Sequence, residues 1–454
     1  MTSGPFLSKI LVFAVPLMLT GLLQLLYHSA DIAVVGRFVG KEALAAVGST
    51  GSLINLFVNL FIGLSMGSGV VTARHIGEKS KTKIHDCVHS AMLISLISGA
   101  LLAAIGFFFS AGMLRLMKVP EDVIKLASLY LKLYFLGSPA MLVFNFGSSI
   151  IRATGDTKTP FVILSSTGFI NVLLNLLFVI KLHMGVEGVA IPTVISQVLA
   201  AIFTVIHLCR LDSDCRLKIK ELRLQKNELK EILRIGVPAG VQNMLFSFSN
   251  VIIQSNVNSF GSSAMAGIAA GSNFDGYIYT CTNAIAQTAM TFTSQNVGAR
   301  KYENIGRVYR ICIICATAIG VTIGWIGFAL SPQIISIFTN DAAVVPIAIG
   351  RMRFIMPFFF FCSLMDVGGS QLRGMGKSVQ PMLISLLGGC GIRLIWVFFL
   401  LPFNRTLDFL YISYPVSWGV TFFVHFAAYF YLRKKHYPIN KETKTEISKS
   451  AVGE

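Results

Sequence analysis

Twelve stretches of about twenty or more predominantly apolar residues, joined mostly by short polar connections, limit what this 454-residue chain can fold into more than any motif does. About 20 residues of helix cross the hydrocarbon core of a bilayer. That ruler predicts helices near 10–36, 44–73, 85–109, 123–149, 160–182, 186–209, 231–258, 265–295, 305–330, 343–370, 380–401 and 409–432. Lipid offers no partners to a bare backbone, so spanning segments of this length must be helices. The expected fold class is an all-α polytopic membrane protein. Charged residues make up 13% of the chain, about half their share in soluble domains.

The net charge of +17 would point to nucleic acid in a soluble protein. Here its distribution sets orientation. With the N-terminus inside, 27 of the 38 Lys and Arg residues fall at the inner ends, including Arg74, Lys79, Arg152, Arg300, Arg373 and the run Arg433 to Lys435. The positive-inside rule then places both termini in the cytoplasm of a cell-membrane protein. Pro16 to Ile32 runs straight into further spans, without the short apolar core and small-residue site of a cleaved signal, so the N-terminal stub is expected to be retained. Five of the eight cysteines lie inside apolar spans, and reduced thiols are expected.

The chain repeats itself. ILVFAVP (from Ile10) matches ILRIGVP (from Ile232), and GKEALAAVG (from Gly40) matches GSSAMAGIA (from Gly261). ARHIGEKSK (from Ala73) matches SQNVGARKY (from Ser294), and RATGDTKTP (from Arg152) matches RGMGKSVQP (from Arg373). An even number of spans per repeat puts both halves the same way up, the parallel-repeat arrangement of transporters that rock one half against the other. The expected domains are a six-helix lobe at 1–209, a basic cytoplasmic linker at 210–230, a second six-helix lobe at 231–435 and a polar tail at 436–454.

One acid stands out. Asp31 lies at the outer end of the first segment, and Gln24, Tyr27, His28 and Asp31 share one helical face at i, i+3, i+4 and i+7. Turning that acid toward lipid costs about 3 kcal/mol on insertion scales, so the face should meet protein or a wet cavity. The fifth segment carries Asn171 and Asn175 four residues apart, and the sixth carries Thr193 and Gln197 at the same spacing.

The 6+6 arrangement, ADIAVVGRFVGKEALAAVG closing the first segment, RATGDTKTP, INVLLNLLFVI and VPAGVQN together resemble the multidrug and toxic compound extrusion (MATE) family over about residues 5–435. The resemblance implies two parallel six-helix repeats around a central cavity and a secondary antiporter exporting cationic or amphipathic compounds. It also implies that Asp31, Asn171, Asn175 and Thr193 hold the coupling ion. Asn175 departs from the family's archaeal and bacterial branch, which often has a second aspartate there. One carboxylate among neutral oxygens favours a proton over sodium, since a proton needs one acid while a bare sodium ion benefits from each nearby charge. On this expectation Asp31 alternates between ionised and protonated forms, taking up cationic drug in one and releasing it in the other.

The second half has its own polar faces. Asn243, Ser247, Asn250, Gln254 and Asn258 follow one another at steps of three or four, as do Asp275, Tyr279, Asn283 and Gln287. Gln24, Tyr27, Asn250, Gln254, Asp275, Tyr279, Asn283, Met290 and Asp366 are candidate substrate contacts, with Tyr277, Phe292, Phe358 and Met365 nearby as soft apolar surface. A salt link from Asp275 or Asp366 to an arginine such as Arg393 is the structural alternative. Gly63 and Gly67 form a GxxxG explained by close helix packing. The loops after Arg152 and Arg373 lack phosphate-loop spacing, so no nucleotide is expected and an ion gradient must supply energy. No enzyme motif, cofactor or resident metal is expected. The partners are a small cationic or amphipathic molecule and the lipid bilayer, with a monomer as the working unit. The alternative is a flippase for a lipid-linked oligosaccharide or polysaccharide precursor of the same wider superfamily.

Overall fold

A computed structural model describes residues 1–117, 119–339 and 341–438; the expected polar tail lies outside them from residue 439 on. The described chain is a succession of helices that covers every expected span, with one short extra helix, Ser331–Phe338, between the ninth and tenth. They are α1 (Phe6–Val34), α2 (Lys41–Glu78), α3 (Lys81–Leu116), α4 (Glu121–Leu136 and Ser138–Thr154), α5 (Lys158–Leu176) and α6 (Glu187–Arg210). After the linker come α7 (Lys226–Asn258), α8 (Ser262–Gly298), α9 (Tyr302–Ala329) and α10 (Val345–Ile355 and Phe359–Gly374). The series closes with α11, running from Val379–Ser385 to Leu401–Phe403, and α12 (Leu407–His436). Nine are long and apolar enough among the described residues to cross a membrane, and the bent α4 makes a tenth. The two that fall short, α7 and α8, carry the polar faces seen in the sequence.

Two rods expected to be continuous are broken, each at a proline. Gly137 ends the first half of α4 and Pro139 opens the second, with a bend of 44°. In α10, Met356–Phe358 forms a tight turn around Pro357. Proline lacks the N–H that would continue the ladder. Caps follow ordinary side-chain chemistry: Asp156 Oδ1 accepts from the backbone N–H groups of Lys158 and Thr159 at 2.9 and 3.0 Å, opening α5.

The repeat is written into the backbone. Gly40 and Gly261, Lys79 and Arg300, and Gly155 and Gly376 all have positive φ, and the members of each pair are 221 residues apart. Packing repeats too. In one half α3 lies against α4 and α4 against α6, while in the other α9 lies against α10 and α10 against α12.

The described residues group into two compact units: Val15–Thr72 with Ser80–Phe248, and Met1–Ala14 with Ala73–Lys79 and the described residues from Ser249 on. These packing units divide the chain at other points than the lobes expected from the repeat, because α1, α2 and α7 each contribute to both. Within the first unit, Gly63 and Gly67 of α2 face Gly240 and Gly236 of α7 so closely that a Cβ on Gly63 would come 2.1 Å from the Gly240 backbone nitrogen. Backbone contact is what paired small residues permit. Within the second unit, the repeat-related Gly77 and Gly298 do the same, a Cβ on each meeting the carbonyl of Gln295 and of Arg74. All eight cysteines are free thiols.

Candidate functional site

In the first unit α1, α5 and α6 bring the four expected ion-site residues together. Asn175 Nδ2 donates to Asp31 Oδ1 at 2.5 Å and to Asn171 Oδ1 at 3.3 Å. Asn171 donates to Thr193 Oγ1 at 3.4 Å, and that hydroxyl donates to the Val189 carbonyl at 2.9 Å. With its amide turned over, Asn171 donates to Asp31 Oδ1 at 3.1 Å and accepts from the Thr193 N–H at 3.2 Å. Asp31 is half-buried, and both asparagines are buried. Among the described residues no lysine, arginine or histidine pairs with Asp31, and the buried Oδ1 of Asn175 has no hydrogen-bond partner. A buried acceptor left unsatisfied costs about 1–3 kcal/mol. The arrangement is thus a carboxylate without a cationic partner among the described residues, beside an amide oxygen that lacks a donor.

Local backbone supports this geometry. One turn beyond Asp31, α1 widens into a π-helical segment, Val35–Val39, and directly beyond Asn175 α5 does the same at Leu177–Lys181. Such segments re-aim side chains and concentrate at functional sites. An apolar cluster of Val34, Val35, Val179, Val189 and Tyr130 packs beside them. Tyr130 and the nearby Tyr134 lie close enough to interact with the Asp31 charge. Sequence reasoning missed both. Their signal was the i, i+4 spacing of two tyrosines in α4, faint because aromatic residues populate most membrane helices.

The other first-half candidates fare differently. The Tyr27 ring lies over Gly168, and its hydroxyl donates to the Ser165 carbonyl at 3.1 Å, so α5 takes it up in packing. Gln24 and His28 are exposed, and Gln197 is half-buried.

In the second unit the two acids part ways. Asp275 forms a bidentate pair with Arg351 at 3.3 and 2.5 Å, so it takes the ion-pair alternative, with Arg351 rather than Arg393 as the partner. Arg393 instead donates to Ser417 Oγ at 2.8 Å and stacks on Tyr414 and Trp418. Nothing short-range in the sequence links Asp275 to a residue 76 positions away. Asp366 lies near Tyr279 and Arg373, and its buried Oδ2 has no hydrogen-bond partner among the described residues. Asn283 accepts from Gln287 at 2.8 Å. Met290 is buried against Gly374, whereas Asn250 and Gln254 are exposed.

One cluster has metal-ligand composition: His85, His89 and Glu221. His89 cannot serve as a ligand there, since Nδ1 is taken by the His85 carbonyl at 2.7 Å and Nε2 by the Lys218 N–H at 3.0 Å. The cluster is a latch. His85 bonds Glu221 at 2.7 Å, Arg223 bonds Asp86 at 2.7 Å, and the Gln225 N–H donates to Ser90 Oγ at 3.0 Å, which ties the linker to the first turns of α3.

A helical membrane protein of two same-facing repeats, with an acid and amides gathered inside the first, has the architecture of a secondary transporter. The chain belongs to the MatE family, whose profile matches it twice, at residues 16–177 and 238–399. It is 27% identical over 434 residues to the probable multidrug resistance protein YoeA of Bacillus subtilis, covering 93% of each chain. It is 26% identical over 385 residues to the probable multidrug resistance protein NorM of Thermotoga maritima, covering 84% of this chain and 82% of that one. Among solved structures, the Vibrio cholerae MATE transporter VcmN superposes with a TM-score of 0.89 at 19% identity, covering 95% of this chain and 98% of that one. An outward-facing multidrug resistance MATE family transporter of the MOP superfamily gives 0.87 at 22%, covering 94% and 95%. These likenesses establish the fold.

Proposed function

We propose that the protein is a proton-coupled antiporter of the cell membrane that exports cationic or amphipathic drugs. Both termini would be cytoplasmic, and the repeats at 1–209 and 231–435 would rock about the linker at 210–230. Export of drugs is supported by the names of its relatives, which include multidrug resistance and multidrug export proteins. Proton coupling rests on one observation: Asp31 is held by amides and faces no cationic side chain among the described residues, beside the unsatisfied Asn175 oxygen. Burying an unpaired charge is costly, so the ionised site gains by taking up a proton. A single carboxylate among neutral oxygens gives sodium less to hold.

Asp31 exchanges a proton for drug, with Asn175, Asn171 and Thr193 positioning its carboxylate. In the second half, Asp366 with Tyr279 and the Asn283 face offers a polar, partly aromatic surface to a cation. Asp275 has no part in it, because Arg351 neutralises it.

Ethidium uptake into everted vesicles tests this. An acid interior alone should drive uptake by wild type and not by Asp31→Asn present in equal amount. Uptake driven only by a sodium gradient would replace the proton with sodium. Failure of both gradients would remove the antiport.

A further inference from the structure

We propose that the face formed by the first turns of α9 and the last turns of α12 is a binding site for an anionic phospholipid of the surrounding bilayer. The two helices run antiparallel here and enclose a groove of about 550 Å³, within the size range of small-molecule sites. Along α9 the groove is lined by Arg307 and Arg310 and then, deeper in the span, by Ile313 and Ile314. Along α12 it runs in the same sense from Arg433 to Tyr429 and Phe430 and on to Phe426. Both walls therefore pass from guanidinium to hydrocarbon in the same direction. From Arg307 to Ile314 the helix rises about 10 Å. That gradient is a phospholipid's own, a charged head followed by a chain.

The charge is uncommitted. Arg307 and Arg310 are exposed, and among the described residues none of the three arginines forms a salt bridge. Glu303 is the one acid lining the groove, so the face is positive on balance. Arg433 is held in place. Its guanidinium lies against Gly306, where a Cβ would come 2.6 Å from Nη1, and over the Tyr429 ring at 6.0 Å. Planar guanidinium groups bind phosphate bidentately. The apolar wall is open, with Ile314 at 66% and Phe430 at 50% exposure. A chain of the bilayer is what lies against such a surface at that depth.

The full-length protein in neutral detergent, offered phosphatidylglycerol and phosphatidylcholine of the same chain length in equal amounts, gives the test by native mass spectrometry. Each arginine beside an anionic head contributes about fivefold in affinity. Wild type should therefore retain phosphatidylglycerol at least tenfold better than phosphatidylcholine. The variant Arg307→Gln/Arg310→Gln/Arg433→Gln should lose that preference while remaining monodisperse. A control with as many exposed charges removed from the linker region, Lys220→Gln/Lys226→Gln/Lys230→Gln, should keep it. Equal retention of the two lipids by wild type would overturn the proposal, as would a preference that survives the triple substitution or falls equally in the control. Displacement by glycerol 1-phosphate as effective as by the lipid would overturn the role of the chain.

Discussion

At the scale of single residues, the acids of this chain are told apart by what stands opposite them. Asp275 and Arg351 satisfy each other, and breaking such a pair from one side costs about 3–5 kcal/mol because a buried charge is stranded. Arg351→Met should therefore lower the melting temperature in detergent more than Arg351→Met/Asp275→Leu does. A double variant no more stable than the single one would show that the pair is not what holds this region. The polar faces of the first-half cluster were legible from helical spacings, Asn171 and Asn175 four apart and Asp31 on a polar face, while their grouping with Thr193 as one site was what the family resemblance implied. The pairing of Asp275 was not, since tertiary packing alone brings α8 and α10 together at that point. Tyr130 and Tyr134 escaped for the opposite reason, being too ordinary in composition to single out.

At the scale of elements, the glycines of α2 separate packing from mere tolerance. Gly63 meets the Gly240 backbone, whereas Gly51 has nothing within 4 Å of an added Cβ. Gly63→Val should cost about 3 kcal/mol or more through overpacking that backbone cannot relieve. Gly51→Ala should be neutral or stabilising by up to about 1 kcal/mol; melting curves of the two in detergent decide. The linker makes a prediction in pH. The hydrogen bond from Lys218, and then that from His85, hold Glu221 below its ordinary value of 4.5. A carboxylate so depressed contributes to docking above its ordinary value, and the contribution is lost as pH falls through the lowered one. Protection of the Gln225 amide against hydrogen exchange, corrected for intrinsic rates, should hold at neutral pH and decline only once the pH is below the ordinary carboxylate value of 4.5. Asp86 of the same latch is a second carboxylate, bonded by Arg223, so Glu221→Gln/Asp86→Asn should abolish that pH dependence; an identical profile in the double variant would exclude the two carboxylates as its source. Helix count was readable from apolar runs, but the breaks at Gly137 and Pro357 and the π segments after Asp31 and Asn175 were not, because they depend on backbone hydrogen bonding that hydropathy does not record.

At the scale of the whole molecule, the repeat carries the account. Matched motifs in the sequence return as matched positive-φ residues, matched helix packing and two matches to one family profile. Yet the halves differ in chemistry. The first gathers one acid among amides, while the second pairs one of its acids with arginine and leaves another with an unsatisfied oxygen. That asymmetry is why we propose coupling in the first half, and the proposal's central claim is that Asp31 gives up or takes up a proton as drug exchanges. The direct measurement is proton release on drug binding, by calorimetry of ethidium binding to the purified protein in two buffers of different ionisation enthalpy. At a pH where Asp31 is still protonated, wild type should release close to one proton per drug bound, and Asp31→Asn none. Equal release by both proteins, or binding without release by wild type at every pH from 5 to 9, would contradict it.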